Sequence, residues 1–241
     1  VKLYNEINKH MVQMPQGVTF PLVKTRAIDD VPMLGLTLWS EQYDDYQLNQ
    51  IAQELEAEVK KVNDVAITHK IGGRNRQLRV VLDKDKLAAS GLDFLSVSEM
   101  IRANNSQLSA GSFDKNDTEF LINTGNFLES ATDVQNLVVG VQQNQPIYLK
   151  QIAQVIDGPE DPLNYVSLGF GKGSVKSSDY NSEYPAVTIS VAKRKGADAM
   201  KISEMIIDKV EHLRGSLIPD DVHVEITRNY GETASQKVAE L

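Results

Sequence analysis

Hydrophobic positions along the chain change period several times. From Val1 to Val12 they fall at Leu3, Ile7 and Met11, the i, i+4, i+8 spacing of a helix that stops before Pro15. Val18 to Phe20 follows as a strand. Met33 to Leu38 is a short apolar run, also read as a strand. A helix begins at Asp44 or Asp45, with Leu48, Ile51, Ala52, Leu55, Val59 and Val62 on one face. Asn63-Asp64 breaks it, and Val65 to Ile71 alternates as a strand. This is a β-α-β unit.

A second unit lies far downstream. Val187, Ile189 and Val191 share one side of a strand over 186–192. Asp198 then caps a helix with Ile202, Met205, Ile206, Val210 and Leu213 on one face, ended by Gly215 and Pro219. Val222, Val224 and Ile226 form the next strand. Asn229-Tyr230-Gly231 reads as a turn before a last helix capped at Glu232 or Thr233. Two β-α-β units are the content of a ferredoxin-like fold. Right-handed crossovers would put both helices on one face of a shared sheet.

The stretch between the units has its own grammar. Strands are expected at 78–82, 107–112, 119–123, 147–148 and 152–156. Helices are expected at 84–89, at 97–103 opened by Ser96, and near 132–137. "DGPEDP" (157–162) closes the stretch as a breaker cluster. The expected class is α+β: a ferredoxin-like split β-α-β domain with a second α/β domain inserted in it.

Composition narrows the function. The net charge of −8 argues against a nucleic-acid partner. With no cysteine, disulfides, thiolate metal sites and cysteine nucleophiles are excluded. No apolar run approaches the roughly 18 residues of a membrane span.

Candidate chemistry is sparse. His10, His69, His212 and His223 lack metal-ligand spacing, and the six methionines fit ordinary packing, so no metal site is expected. "GFGKGSVKSS" (169–178) resembles a phosphate loop but lacks its spacing and reads as a hairpin tip. Arg74, Arg76 and Arg79 beside Gly72-Gly73 could bind an acid or line a solvated domain junction. No catalytic triad or carboxylate pair stands out. No catalytic residue and no cofactor is assigned.

Six stretches in order resemble the first large periplasmic loop of resistance-nodulation-division efflux permeases. They are "MPQGV" (14–18), "VNDVAITHKIGGRNRQLRVVLDKDKLAASGL" (62–92), "IRANNSQLSAGS" (101–112), "PIYLKQIAQVIDGPE" (146–160), "VAKRKGADAMKI" (191–202) and "ITRNYGETASQKVAEL" (226–241). The resemblance implies these domains: 1–24, the tail of a first porter subdomain; 25–75 and 158–228, a second porter subdomain; 76–157, a docking subdomain inserted in it; and 229–241, the start of a helix leading to the second transmembrane helix. It implies a trimeric, proton-driven antiporter in the inner membrane of a Gram-negative bacterium, with this segment facing the periplasm. The implied partners are neighbouring protomers, a periplasmic adaptor, an outer-membrane channel and small-molecule substrates; the membrane is met through transmembrane helices outside this chain.

By the same resemblance, Met33, Lys70, Gly72 and Phe170 lie near the substrate pocket. Asp30, Pro32 and Gly72 stand where multidrug exporters carry aromatics, so a less aromatic pocket is expected. Phe113, Asn116 and Phe120, in a hairpin over 111–127, would be the inter-protomer docking contact. That hairpin is short for the family, and 171–185 is an extra stretch, so the resemblance leaves drug, metal or other export open. The alternative is a soluble two-domain ligand-binding or adaptor-type module. A run of about 20 apolar residues after Leu241 would favour the permease.

Overall fold

The computed structural model describes residues 2–11, 14, 15, 19, 22, 23, 31–106, 108–115, 118–125, 127–180 and 182–240. Along the chain the first elements are α1 (Lys2–His10), β1 (Leu34–Trp39), α2 (Asp45–Lys60) and β2 (Val65–Ile71). Next come β3 (Arg76–Leu82), α3 (Lys84–Ala89), α4 (Phe94–Asn104), β4 (Leu108–Lys115), β5 (Thr118–Thr124) and α5 (Ala131–Gln135). They are followed by β6 (Val138–Gln142), β7 (Gln145–Tyr148), α6 (Leu149–Ile152) and β8 (Ala153–Pro159). The last are β9 (Ser167–Gly169), β10 (Glu183–Lys193), α7 (Ala199–His212), β11 (His223–Asn229) and α8 (Tyr230–Ala239). The chain divides into two compact units, Val1–Gly73 with Tyr165–Leu241, and Arg74–Asn164. The class is α+β, with antiparallel sheets throughout the described strands.

In the first unit the strand order is β11-β1-β10-β2, with β9 paired to β10. Strands β1 and β2 are joined through α2, and β10 and β11 through α7, so the two β-α-β units interleave in one sheet. Both helices cover the same face, as the crossover argument expects. Leu48, Ala52, Leu55 and Val59 of α2 meet Ile202, Ile206 and Val210 of α7 in a core with Leu34, Leu36, Leu38, Val187, Ile189 and Val191. Asp44 starts α2 with a full capping box: its carboxylate accepts from Gln47 N at 2.8 Å, and Gln47 Oε1 accepts from Asp44 N at 3.1 Å. Asp198 caps α7 by accepting from Met200 N at 2.9 Å.

The second unit holds the pair β3–β8 and the hairpins β4–β5 and β6–β7. Its core gathers Val97, Val134, Val139, Ile147, Leu149 and Ile152. Gln143 and Asn144, with φ of 48° and 60°, supply the left-handed turn that closes β6–β7.

Several local expectations shift. Helix α4 starts at Phe94 rather than after Ser96, because Asp93 is the cap and accepts from Ser96 N at 3.0 Å. Its first turn carries exposed Phe94 and Leu95, which hid it from an apolar-stripe reading. Strands β6 and β9 and the short α6 are additions. Asn229 is the end of β11 rather than a turn residue, and α8 starts directly after it at Tyr230. The Asn229 side chain accepts from Glu232 N at 3.3 Å, and the backbone needs no separate turn. The expected strand at Val18 to Phe20 falls on residues outside those described, apart from Thr19.

Candidate functional site

Side chains of a strand alternate between faces. Leu34, Leu36 and Leu38 face the helices, so Gly35, Thr37 and Trp39 face the opposite way. Register then places Ala186, Thr188 and Ser190 of β10 beside them. On β2, Ile71 and His69 join the same face through their pairing with Thr188 and Ser190. Glu225 and His223 of β11 join through their pairing with Thr37 and Trp39. Neither α2 nor α7, the two helices packed on the sheet, covers this face, which is helix-free in that sense. It is the candidate site.

Three threonines mark its centre. Thr37 Oγ1 lies 2.8 Å from Thr188 Oγ1 and 3.0 Å from Thr227 Oγ1. Thr37 is buried, so its hydroxyl must find such partners. Gly35 sits at the bulge between β1 and β11, and a Cβ there would come within 3.0 Å of Thr227 Oγ1. The glycine therefore lets β11 close over the threonines.

An aromatic cluster fills one end. The Trp39 ring centroid is 4.5 Å from His223, 4.8 Å from Tyr180, 5.0 Å from Tyr184 and 5.3 Å from Phe170. Trp39 is only 1% exposed, and its Nε1–H has no hydrogen-bond partner among the described residues. A buried unpartnered donor costs about 1–3 kcal/mol. Partial burial, with the Glu41 carboxylate close by, pushes the Tyr184 hydroxyl above its ordinary pKa. Lys176 forms an ion pair with Glu225, and its Nζ lies 5.9 Å from the Phe170 ring centroid.

The residues expected from sequence are not gathered around one point. Phe170 lies on this face, against Trp39. Gly72 borders it at the end of β2, with φ of +83°, where a Cβ would come within 2.6 Å of Val166 and 3.2 Å of the Ala186 carbonyl. Met33 is 3% exposed and belongs to the hydrophobic core. Lys70 pairs with Ile189 and so lies on the helix side of the sheet. There, burial raises the Glu56 carboxyl, but the Thr68 hydroxyl, Lys60 and Lys70 outweigh it and hold the group below the usual carboxylate range.

In the second unit, Phe113 and Phe120 occupy paired positions of β4 and β5. Asn116 lies outside the described residues, as do the side chains of Phe113 and Phe120. Arg76 makes a two-point ion pair with Asp157, at 2.7 and 2.6 Å, and Arg79 pairs with Asp161 at 2.7 Å. Their charge is thus already met within the unit. Among the described residues no group of three or more His, Asp or Glu side chains is placed to hold a metal ion, and no helix is long and apolar enough to cross a membrane.

Sequence reasoning missed Trp39, Tyr180, Tyr184, His223 and the threonines. A signal was present for the threonines: Thr37, Thr188 and Thr227 are out of phase with the Leu, Val and Ile positions that mark the core. Besides Phe170, the rings of this face come from Trp39, Tyr180, Tyr184 and His223, to which the resemblance does not point.

A family model described as the AcrB/AcrD/AcrF family matches residues 1–241. Cation efflux system protein CusA of Escherichia coli is 26% identical over 188 residues, 78% of this chain and 17% of that protein. Putative cation efflux system protein SilA of Salmonella typhimurium is 25% identical over the same 78% and 17%. Multidrug resistance protein MdtC of Yersinia pseudotuberculosis is 23% identical over 241 residues, 98% of this chain and 22% of that protein. The chain thus spans about a fifth of the length of the curated relatives it matches.

Proposed function

Since the chain belongs to the AcrB/AcrD/AcrF family, we propose that it is the periplasmic substrate-handling and docking segment of a proton-driven inner-membrane efflux permease. The observation that carries this reading is the family match over all 241 residues. In this reading the unit of residues 1–73 and 165–241 contains the second porter subdomain, and the unit of 74–164 is the docking subdomain. The permease works as a trimer with a periplasmic adaptor and an outer-membrane channel. The β4–β5 hairpin, with Phe113, Asn116 and Phe120, contacts the neighbouring protomer.

The substrate passes the helix-free face of the five-stranded sheet. Phe170 and Gly72 border that face and contact it; Met33 and Lys70 support the strands from the other side. The relatives' names divide between cations and drugs. The face carries stacked rings and threonine hydroxyls, which suit an organic molecule with an apolar body and a few polar groups better than a bare metal ion. We therefore place the substrates among small organic compounds.

The permease that carries this chain, expressed in cells lacking their own exporters, should lower the accumulation of apolar organic compounds and leave silver and copper tolerance unchanged. Metal tolerance without any change in organic accumulation would reverse the assignment of substrate. No change in either would remove the export reading.

A further inference from the structure

The aromatic end of the helix-free face is covered by the chain itself. Residues 170–180 run between β9 and β10 and fold back over Trp39. The segment is locally closed: Ser174 N donates to Gly171 O at 2.8 Å, a short 3-10 helix spans Val175–Ser178, and Tyr180 N donates to Lys176 O at 3.0 Å. Phe170 and Tyr180 set their rings on Trp39, and Lys176 reaches Glu225 on β11. Its tip is exposed: Val175 is 95% exposed, and a Cβ at Gly171 or Gly173 would meet nothing within 4 Å.

These ties are of the weak kind. The partly exposed Lys176–Glu225 pair contributes little, and lifting two rings off Trp39 costs far less than opening the whole fold. Closing also has a standing cost. With the segment closed, the Trp39 indole N–H is buried where no described residue accepts it. Lifting the segment returns that donor to water and exposes the indole ring, while the hydrogen-bond ladder of the sheet stays intact.

We propose that residues 170–180 form a hinged lid over Trp39, latched by Lys176 on Glu225, which lifts without unfolding the sheet. The lid switches the helix-free face between a sealed state and one that offers a ring and a hydrogen-bond donor. That role in transport rests on the proposed function above. The lid itself does not, and the test reads the lid alone.

Trp39 is the chain's single tryptophan, so one indole N–H signal reports on it in an NMR spectrum of the 241-residue chain. That proton is protected by burial alone, and its hydrogen exchange follows the open population. It should exchange at least about a hundredfold faster, relative to its intrinsic rate, than the backbone amides of β1, which need the sheet to open. Lys176→Glu should raise indole exchange about fivefold, the scale of one exposed ion pair, and leave the β1 amides unchanged. Exchanging the charges, Lys176→Glu with Glu225→Lys, should return it to the original rate. Indole exchange in step with the β1 amides would overturn the proposal, because the segment would then be part of the sheet's fold. So would an indole rate indifferent to Lys176→Glu, or one that the charge exchange leaves raised.

Discussion

Ile189→Ala should cost about 2–5 kcal/mol of stability, read as a drop in the urea midpoint of the unit that contains it. Ile189 lies on β10, between β1 and β2, and is fully buried. It stands opposite Leu36 and faces the core between α2 and α7. Truncation removes its methyl and methylene groups from that core and leaves a space between two strands held in register on both sides. Such a site has little freedom to collapse, which places it toward the upper part of the range. Ile71→Ala provides the contrast. Ile71 is 50% exposed on the opposite face, and its loss should stay within about 0.5 kcal/mol, as for surface positions away from special features. Equal losses at the two positions would mean that the helices do not cover the face assigned to them.

Trp39→Ala should be as severe, about 3–5 kcal/mol, for a different reason. The indole holds four rings from three other segments: Phe170 and Tyr180, Tyr184 of β10, and His223 of β11. Its removal leaves the lid with nothing to close on and the sheet end open to water. Trp39→Phe should cost less than half as much. It keeps an aromatic ring and deletes the unpartnered N–H, whose burial offsets part of what the larger indole contributes. Matching losses for the two variants, by urea unfolding, would show that the N–H meets an acceptor after all.

The first unit was largely legible in the sequence because its signals are periodic. Leu34, Leu36 and Leu38 alternate with Gly35, Thr37 and Trp39, and the stripe Leu48, Ala52, Leu55 and Val59 keeps to one helix face. Hydrophobic burial enforces both patterns, so they survive into the structure. The second β-α-β unit was legible for the same reason. Short elements were not. Strand β9 has three residues and is defined by its pairing with Tyr184 and its neighbours, a contact with no local pattern. Helix α4 was shifted because a cap, Asp93, fixes its start, and exposed Phe94 and Leu95 follow it.

The site was less legible than the fold. Trp39, Tyr184 and His223 lie far apart in sequence and are joined by the register of β1, β10 and β11, and Phe170 and Tyr180 are added by the segment that folds back over Trp39. Lys70 shows the converse. It sits one residue from both His69 and Ile71, yet period-two alternation sends it to the helix side. A motif match aligns such positions along the chain without saying which face each occupies.

We propose that substrate passes the helix-free face of the sheet. The most direct measurement is export by the whole permease carrying Ser190→Trp, which places a bulky ring on that face beside His69 and Gly35, compared with Gln53→Trp on the exposed side of α2. With both variants present in the membrane at the wild-type amount, Ser190→Trp should lower export of organic substrates at least about tenfold, equivalent to roughly 1.4 kcal/mol of lost substrate interaction. Gln53→Trp should leave export unchanged. Wild-type export from Ser190→Trp, or an equal loss from both variants, would contradict the account.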